Sequence, residues 1–364
     1  MKILVICILM LSQMASEPIL AKPISDKFHI AATSSKGIYN IQKVKPASMS
    51  PGYTMAWVHH GSEISWFKGA RVVFSMNVPG SISVVRDNGE DGIYGIFDHR
   101  PIAIAWNGEV VFKSKHSCHH DIIKTERGTY LCMQQYMVND TSKNDLIIEI
   151  DAITDEIIWS LDVNTLMCGT PDCAQNLGGR GENWMHTNSL DLFSNGDLLV
   201  STRNYNALVR VSYPMGIIEN TWGLGKNVLG LQHHGTVLED KGVVMAFDNG
   251  FWQEESGIIQ FDINPPYGVV FDKRLGFFSK ALGSVEKLAN GNWLVTQTKD
   301  PARIIEYSED FSEIYLDIRV VETAYAGYRV AKNQSQAAIY RVHRVESLPP
   351  WDNLPKETKA FLRK

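Results

Sequence analysis

Long hydrophobic runs are almost absent from this chain of 364 residues. The one clear run is 3–11, which follows Lys2 and precedes a stretch of small residues. It is too short to span a bilayer as a helix, and its place after a positive charge is typical of a secretory signal peptide. We therefore expect a signal peptide over 1–21, cleaved after Ala21 or alternatively Ala15, no membrane span, and a periplasmic or secreted protein.

An excess of positive charge is also lacking. Lysine and arginine number 35 against 40 aspartates and glutamates, which gives a formal net charge of −5, and the chain has no run of basic residues. Proteins that bind nucleic acid need clustered positive charge to neutralise the phosphates. The composition therefore predicts no nucleic-acid partner, and its 44% hydrophobic content is that of an ordinary globular protein.

Cysteine is scarce, with five in the whole chain. Cys168 and Cys173 bracket the turn sequence Gly-Thr-Pro-Asp and are predicted to form a disulfide in an oxidising compartment. A disulfide-forming oxidoreductase is a possible partner during maturation. Cys118 and Cys132 fall on the two arms of one hairpin, and they are either paired or buried as free thiols. The cysteine spacing matches no zinc pattern, so we predict no metal site from these residues.

Helical periodicity is scarce, and a hairpin pattern recurs in its place. Four stretches show a polar opening, a short strand, a turn containing glycine and an apolar strand: 119–135, 186–204, 232–250 and 283–300. A further pair of strands follows each hairpin. Four short strands repeated roughly every 40–50 residues are the signature of a β-propeller.

The weaker strands over 52–113 leave room for about two more repeats, in addition to the four clear ones. The expected fold is therefore all-β, a six-bladed β-propeller with its active site at the central channel. We place this single domain at 22–350 and a polar C-terminal tail at 351–364.

Propeller geometry makes residues at the same position of each repeat converge on the axis. His120, His186 and His233 occupy such positions and would meet in the channel, with Arg203 and Asn249 at its mouth. Because successive strand side chains alternate in direction, only one histidine of each neighbouring pair should face the channel. The alternative is that each of these histidines caps a blade by bonding to a backbone carbonyl.

The motifs around these histidines resemble those of the PAPS-independent arylsulfate sulfotransferases, which are secreted β-propeller enzymes. The shared motifs are CHHDI, WMHTNSLDL with NGDLLVSTRN, LQHHGTVLEDKGVVMAFDNG and the late YRVHRV. The family moves a sulfuryl group from a phenolic sulfate ester to another phenol through a sulfohistidine. The resemblance implies a ping-pong sulfotransferase without a cofactor, whose partners are small phenolic sulfates and phenols.

The resemblance also assigns roles to individual residues, with His233 as the nucleophile. The catalytic candidates are His233, His186, His120 and Arg203. The substrate-binding candidates are Asn188, from the family motif, and Asn249, from its place at the mouth. A neutral imidazole suits nucleophilic attack on sulfur, an arginine offers a fork of donors to the sulfuryl oxygens, and His120 or His186 would move the phenol proton.

Two other functions remain open from the sequence. A propeller can bind a small ligand, a glycan or a protein without catalysis, because a fold does not fix a function. The three channel histidines could also hold a metal ion. Asn188 and Arg203 count against the second alternative, because a cation beside a bound metal would weaken the site.

Overall fold

The computed structural model describes nine stretches: 39–78, 80–137, 143–169, 185–224, 228–298, 301–320, 338–346, 348–354 and 356–363. Their strands form six antiparallel sheets, which are the six blades of a β-propeller. The all-β, six-bladed prediction is therefore confirmed. The predicted signal peptide lies outside these stretches.

Blade 1 combines three strands from the start of the described chain with one from near its end. They are β2 (Tyr53–Trp57), β3 (Glu63–Lys68), β4 (Arg71–Asn77) and β25 (Val342–Val345), and β25 pairs with β2. Blade 2 is built in simple chain order. Its strands are β5 (Ile82–Asp87), β6 (Ile93–Phe97), β7 (Arg100–Ile104) and β8 (Val110–Lys113).

Blades 3 and 4 follow the same four-strand order. Blade 3 has β9 (His119–Lys124), β10 (Tyr130–Met137), β11 (Lys143–Ile150) and β12 (Ile157–Asp162). Blade 4 has β13 (Thr187–Leu192), β14 (Leu198–Thr202), β15 (Ala207–Ser212) and β16 (Ile217–Trp222). A short helix, α1 (Val163–Cys168), leaves blade 3, and the Asp162 carboxylate caps it by accepting from the backbone N–H of Thr165.

Blades 5 and 6 complete the ring. Blade 5 has β17 (His233–Leu238), β18 (Val243–Asp248), β19 (Gly257–Asp262) and β20 (Val269–Arg274). Blade 6 has β21 (Ser284–Lys287), β22 (Trp293–Gln297), β23 (Arg303–Tyr307) and β24 (Ile314–Val320), with β1 (Tyr39–Val44) as a fifth strand on β24. The innermost strands contact one another around the channel in the order β5, β9, β13, β17, β21 and β25.

Burial falls from the axis outwards, and the sequence of each strand reflects its place. The second strands of the blades are apolar and almost wholly buried, as in Leu198–Thr202 of β14. The outer strands β12, β16 and β20 alternate exposed with half-buried residues instead. Apolar side chains pack between neighbouring blades, and Trp57, Trp66 and Trp106 anchor the contact of blades 1 and 2. The hydrophobic core is therefore a ring of interfaces between blades.

The glycine turns of the repeat share one geometry. Gly128, Gly196 and Gly291 each have a positive φ of 80° to 89°, and each donates its backbone N–H to the carbonyl three residues earlier. A positive φ is costly for other residues, so glycine at these positions fixes the hairpin.

The predicted polar tail, 351–364, contains two short helical segments. A 3-10 helix spans Trp351–Asn353, and α2 spans Lys356–Leu362. Leu354 is buried, and the Thr358 hydroxyl donates to the backbone carbonyl of Val73 on β4. No helix within the described residues is both long enough and apolar enough to cross a membrane.

Candidate functional site

Two histidines, from blades 3 and 4, meet at the channel. The Nε2 atoms of His120 and His186 lie 3.3 Å apart. Both residues have a left-handed backbone, with φ of 59° and 52°, which is uncommon outside glycine. The register of β9 against β10 also shifts at this point. These backbone features turn both imidazoles towards the axis.

Arg203 lies directly behind His186. It opens a 3-10 helix, Arg203–Tyr205, which follows β14, and its side chain is 2% exposed. Its Nη1 lies 3.3 Å from His186 Nδ1 and donates to Asn204 Oδ1 at 2.7 Å. A buried cation therefore stands beside the imidazole of His186.

His119 extends this cluster in the other direction. Its Nδ1 lies 2.5 Å from His120 Nδ1, and its Nε2 lies 3.4 Å from the Oδ1 atom of Asp145. Asp145 is fully buried on β11, where its Oδ2 accepts from the backbone N–H of Thr187 at 2.7 Å. The expectation that only one histidine of this pair faces the site does not hold, because the left-handed residue His120 interrupts the alternation of the strand.

A disulfide secures this histidine pair. Cys118 immediately precedes His119, and it is bonded to Cys132 on β10, with the two Cα atoms 6.0 Å apart. Both cysteines are buried. Of the two alternatives left open by the sequence, the structure selects pairing. The predicted partner of Cys168, Cys173, lies outside the described residues.

His233 approaches the site from blade 5. It is 1% exposed, and its Nδ1 lies 2.6 Å from Asn249 Oδ1. The Asn249 amide nitrogen donates to the backbone carbonyls of Ser279 and Leu282, which leaves its oxygen to accept from His233. His233 therefore carries its proton on Nδ1, and its Nε2 accepts from the backbone N–H of Leu282 at 3.3 Å.

Tyr340, which precedes β25, lies between the histidines of different blades. Its ring centroid is 6.2 Å from those of His120 and His233 and 5.5 Å from that of His59. Its hydroxyl donates to the backbone carbonyl of Asn188 at 2.9 Å. Burial raises the pKa of Tyr340 to about 12, so its hydroxyl stays protonated at neutral pH.

A buried network of ion pairs links the inner strands of several blades next to these rings. Asp121 is fully buried and accepts from Arg341 at 2.6 Å, from Arg86 at 2.9 Å and from the backbone N–H of Leu190 at 3.0 Å. Arg341 also donates to the carbonyl of Asn188. Burial alone would raise the pKa of Asp121, but the two guanidinium groups outweigh it and hold that pKa well below the usual range. Blades 1 to 4 are thus tied together at one carboxylate.

The electrostatics of the site keep two of the histidines neutral. Burial lowers the pKa of His233 well below its ordinary value of 6.5, and the charge of Arg203 lowers it further. Burial also lowers the pKa of His120 well below 6.5, with added repulsion from His119 and His186. Both imidazoles therefore keep a lone pair at neutral pH.

One family model matches part of the chain. Residues 75–229 match the family model described as Arylsulfotransferase (ASST). This match covers less than half of the chain. The resemblance expected from the motifs is confirmed, and the match supports arylsulfotransferase activity in general. No curated protein matches the chain significantly.

Solved structures are similar in fold. A protein of unknown function from Bacteroides caccae is 11% identical, with 80% of this chain and 98% of that chain covered and a TM-score of 0.55. A putative 6-phosphogluconolactonase from Bacteroides uniformis is 14% identical, covers 81% and 95%, and has a TM-score of 0.46. Virginiamycin B lyase from Staphylococcus aureus is 12% identical, covers 76% and 88%, and has a TM-score of 0.43. Only the first has a TM-score above 0.5, and at 11% identity it supports the fold alone.

The arylsulfotransferase match runs from the end of β4 through blades 2, 3 and 4. It includes His120, His186 and Arg203, which the structure brings into contact. His233 follows on blade 5, beyond the matched residues, and reaches the same cluster across Tyr340.

The two predicted substrate-binding amides are both fully buried. Asn188 donates from Nδ2 to the carbonyl of Gln232 at 2.7 Å, and its Oδ1 accepts no hydrogen bond within the described part of the chain. Asn249 lies behind His233 and orients that ring. Trp252 lies in the loop after β18 and is 47% exposed.

Sequence reasoning missed several members of the site. They are His119, Asp145, Asp121, Tyr340 and Arg341. The late YRVHRV motif signalled the last two, because it places polar residues in an otherwise apolar strand. Asp145 gave no local signal, since it sits on a third strand and reaches His119 only through sheet pairing. Among the described residues, no group of three or more possible ligands is arranged to hold a metal ion.

Proposed function

We propose that the protein is a ping-pong arylsulfate sulfotransferase in which His233 carries the sulfuryl group. The observation that carries this proposal is the fixed tautomer of His233, with Nδ1 held by Asn249 and the Nε2 lone pair directed away from it. In the first half-reaction, Nε2 attacks the sulfur of a phenolic sulfate, the S–O bond to the aryl oxygen breaks, and a phenol leaves. In the second, an acceptor phenol takes the sulfuryl group from His233.

A covalent route suits this site because it divides one difficult transfer into two easier steps. The lowered pKa of His233 keeps the imidazole neutral and therefore nucleophilic. Burial also excludes bulk water, which would otherwise hydrolyse a sulfohistidine.

The guanidinium of Arg203 supplies positive charge, and the N–H groups of Arg203 and His186 serve as donors for the sulfuryl oxygens. A buried guanidinium is worth more there than at the surface, because the local dielectric is low. Arg203 also forms a contact with His186, so each residue fixes the orientation of the other. We assign His120, which faces His186, to move the phenol proton.

The donor and acceptor in this proposal are small phenolic molecules, with no cofactor. The exposed indole of Trp252, in the loop after Asn249, offers an apolar face on which an aromatic ring could stack. We further propose a periplasmic or secreted location, because the Cys118–Cys132 disulfide suits an oxidising compartment.

Trapping the covalent intermediate tests the function directly. The protein is mixed with 4-nitrophenyl sulfate in the absence of an acceptor, and native mass spectrometry at neutral pH reads the gain of one SO₃ group. We expect a burst of one 4-nitrophenolate per protein and the matching mass increase. Adding phenol should then discharge the label and form phenyl sulfate.

The His233→Asn variant should give neither burst nor label, with turnover reduced by about 10⁴-fold or more. His343→Asn is the matched control, because His343 lies on β25, away from this cluster. Release of 4-nitrophenolate that needs no acceptor and leaves no label would identify a sulfatase. Full labelling of His233→Asn would overturn the choice of nucleophile.

A further inference from the structure

Five side chains form one continuous line across the site. It begins at Arg203, passes through His186, His120 and His119, and ends at Asp145. The successive contacts are 3.3 Å, 3.3 Å, 2.5 Å and 3.4 Å. Both ends are buried, with Arg203 2% and Asp145 0% exposed. Asp145 Oδ1, the atom that faces His119, accepts no hydrogen bond of good geometry within the described chain.

The two ends give the line a direction. A guanidinium can only donate, so His186 Nδ1 must accept and its proton sits on Nε2. His120 then accepts at Nε2 and carries its proton on Nδ1, which donates to His119 Nδ1. A carboxylate can only accept, so the proton of His119 lies on Nε2 and points to Asp145. In this arrangement all three imidazoles are neutral, which is the state of the line while His233 carries the sulfuryl group.

We propose that His119 and Asp145 store the proton that sulfuryl transfer takes from the acceptor phenol and returns to the leaving phenolate. This inference rests on the function proposed above and adds two positioning residues that act through His120. Neither residue belongs to the set expected from the sequence.

The proton movements balance over a cycle in which the free enzyme already holds the stored proton, with His119 as an imidazolium, and gives it up when the first donor is cleaved. When the acceptor phenol attacks the sulfohistidine, its proton goes to His120 Nε2, which gives up the hydrogen bond from His186, and the proton on His120 Nδ1 moves to His119 Nδ1. His119 is then an imidazolium beside the Asp145 carboxylate. When the next donor is cleaved, the aryl oxygen takes the electron pair of the S–O bond and a proton from His120 Nε2. His120 then regains its Nδ1 proton from His119.

The surroundings explain why the charge would rest on His119 and not on His120. His120 is faced by His186, His233, His59 and Tyr340, and burial together with the neighbouring imidazoles lowers its pKa. His119 is the ring that faces a carboxylate, which stabilises an imidazolium. The short contact between the two Nδ1 atoms lets the proton pass without movement of either ring.

The choice of leaving group provides the test. 4-Nitrophenolate is weakly basic and departs without a proton, whereas phenolate has a basicity close to that of tyrosine, with a pKa of about 10. In Asp145→Asn, the amide oxygen can still accept from Thr187, but the stored positive charge loses its partner. We expect sulfo-enzyme formation from phenyl sulfate to slow by about 10²–10³-fold and that from 4-nitrophenyl sulfate to change by no more than about threefold.

Single-turnover rates for the two donors separate this role from a merely structural one. Asp191→Asn is the matched control, because Asp191 also accepts a backbone N–H of the next blade but lies outside the line. It should leave the ratio of the two rates unchanged. If Asp145→Asn does not fold, His119→Gln takes its place with the same expected ratio. An equal slowing with both donors would overturn the proton store, whereas failure of the wild type to be labelled would overturn the proposed function itself.

Discussion

Two histidine pairs open inner strands of this propeller, and the structure uses them differently. In the pair on β9, both rings join one cluster, with His119 in contact with His120. In the pair on β17, only His233 faces that cluster. His234 turns to blade 6, where its Nδ1 accepts from the backbone N–H of Val285 at 3.2 Å, and its ring lies 6.3 Å from that of His343.

The difference lies in which residue adopts the left-handed backbone and in what the neighbouring strands offer. Both His120 and His234 have a positive φ, of 59° and 51°. On β9 this turns a ring towards His186 and leaves its neighbour facing a carboxylate. On β17 the left-handed residue is His234, and its ring packs against the backbone of the next blade at Val285. The same dipeptide therefore yields two imidazoles for the site in one blade and one in the other.

Among changes to the surroundings of the two histidine pairs, the largest effect should come from breaking the contact that orients His233. In Asn249→Leu, the ring loses the acceptor that fixes its proton on Nδ1, so the wrong tautomer and other orientations become accessible. We expect kcat to fall by about 10³-fold with little change in KM, since loss of an orienting acceptor has costs of this order in comparable catalytic histidines. Steady-state kinetics with 4-nitrophenyl sulfate and phenol measure it.

The matched variant Asn249→Asp keeps an acceptor at the same place and should retain much more activity than Asn249→Leu. Equal loss in the two would show that Asn249 supports the fold alone. Circular dichroism of both variants checks that the blades are intact.

A smaller effect, on stability, should follow from removing the disulfide beside the histidine pair on β9. Replacing both Cys118 and Cys132 by alanine removes a cross-link between residues 14 apart, which by chain entropy is worth about 3 kcal/mol. Urea denaturation should show the free energy of unfolding reduced by that amount. A reductant should destabilise the wild type but leave the double variant unchanged. An unaltered denaturation curve for the double variant would contradict this.

The smallest effect should be on how the stability of the protein depends on pH, through His234 on β17. Burial lowers the pKa of His234 well below 6.5, so at mildly acidic pH the unfolded chain binds a proton that the folded protein does not. Stability from this group is complete above about pH 6.5 and falls as the pH drops below it. His234→Gln should therefore lose less stability than the wild type between about pH 7.5 and about pH 5.5. A steeper loss in the variant would refute the neutral, buried state.

The fold could be predicted because its signals are local. A glycine at each hairpin turn and an apolar second strand recur within each repeat, and they need no knowledge of distant residues. The placement of His120, His186 and Arg203 near one another follows from that repeat and from propeller symmetry.

The remaining members of the site depend on contacts that no local pattern encodes. His119 should face away from the channel by strand alternation, and only the left-handed backbone of His120 brings it in. Asp145 reaches His119 through the register of β11 on β10, where it pairs with Gln135. The sequence places Cys118 and Cys132 on facing arms of one hairpin. It does not reveal the register shift of β10 against β9 at Cys132, and so it left their pairing open.

The late position of β25 has a consequence for biosynthesis. Tyr340 and Arg341 precede that strand, yet they contact the first half of the chain at Asp121 and Asn188. A nascent chain emerging from the ribosome can finish blades 2 to 5 while blade 1 still lacks its innermost strand. The contacts of Tyr340 and Arg341 with Asn188 and Asp121 therefore form last, and a product truncated before residue 340 would lack them.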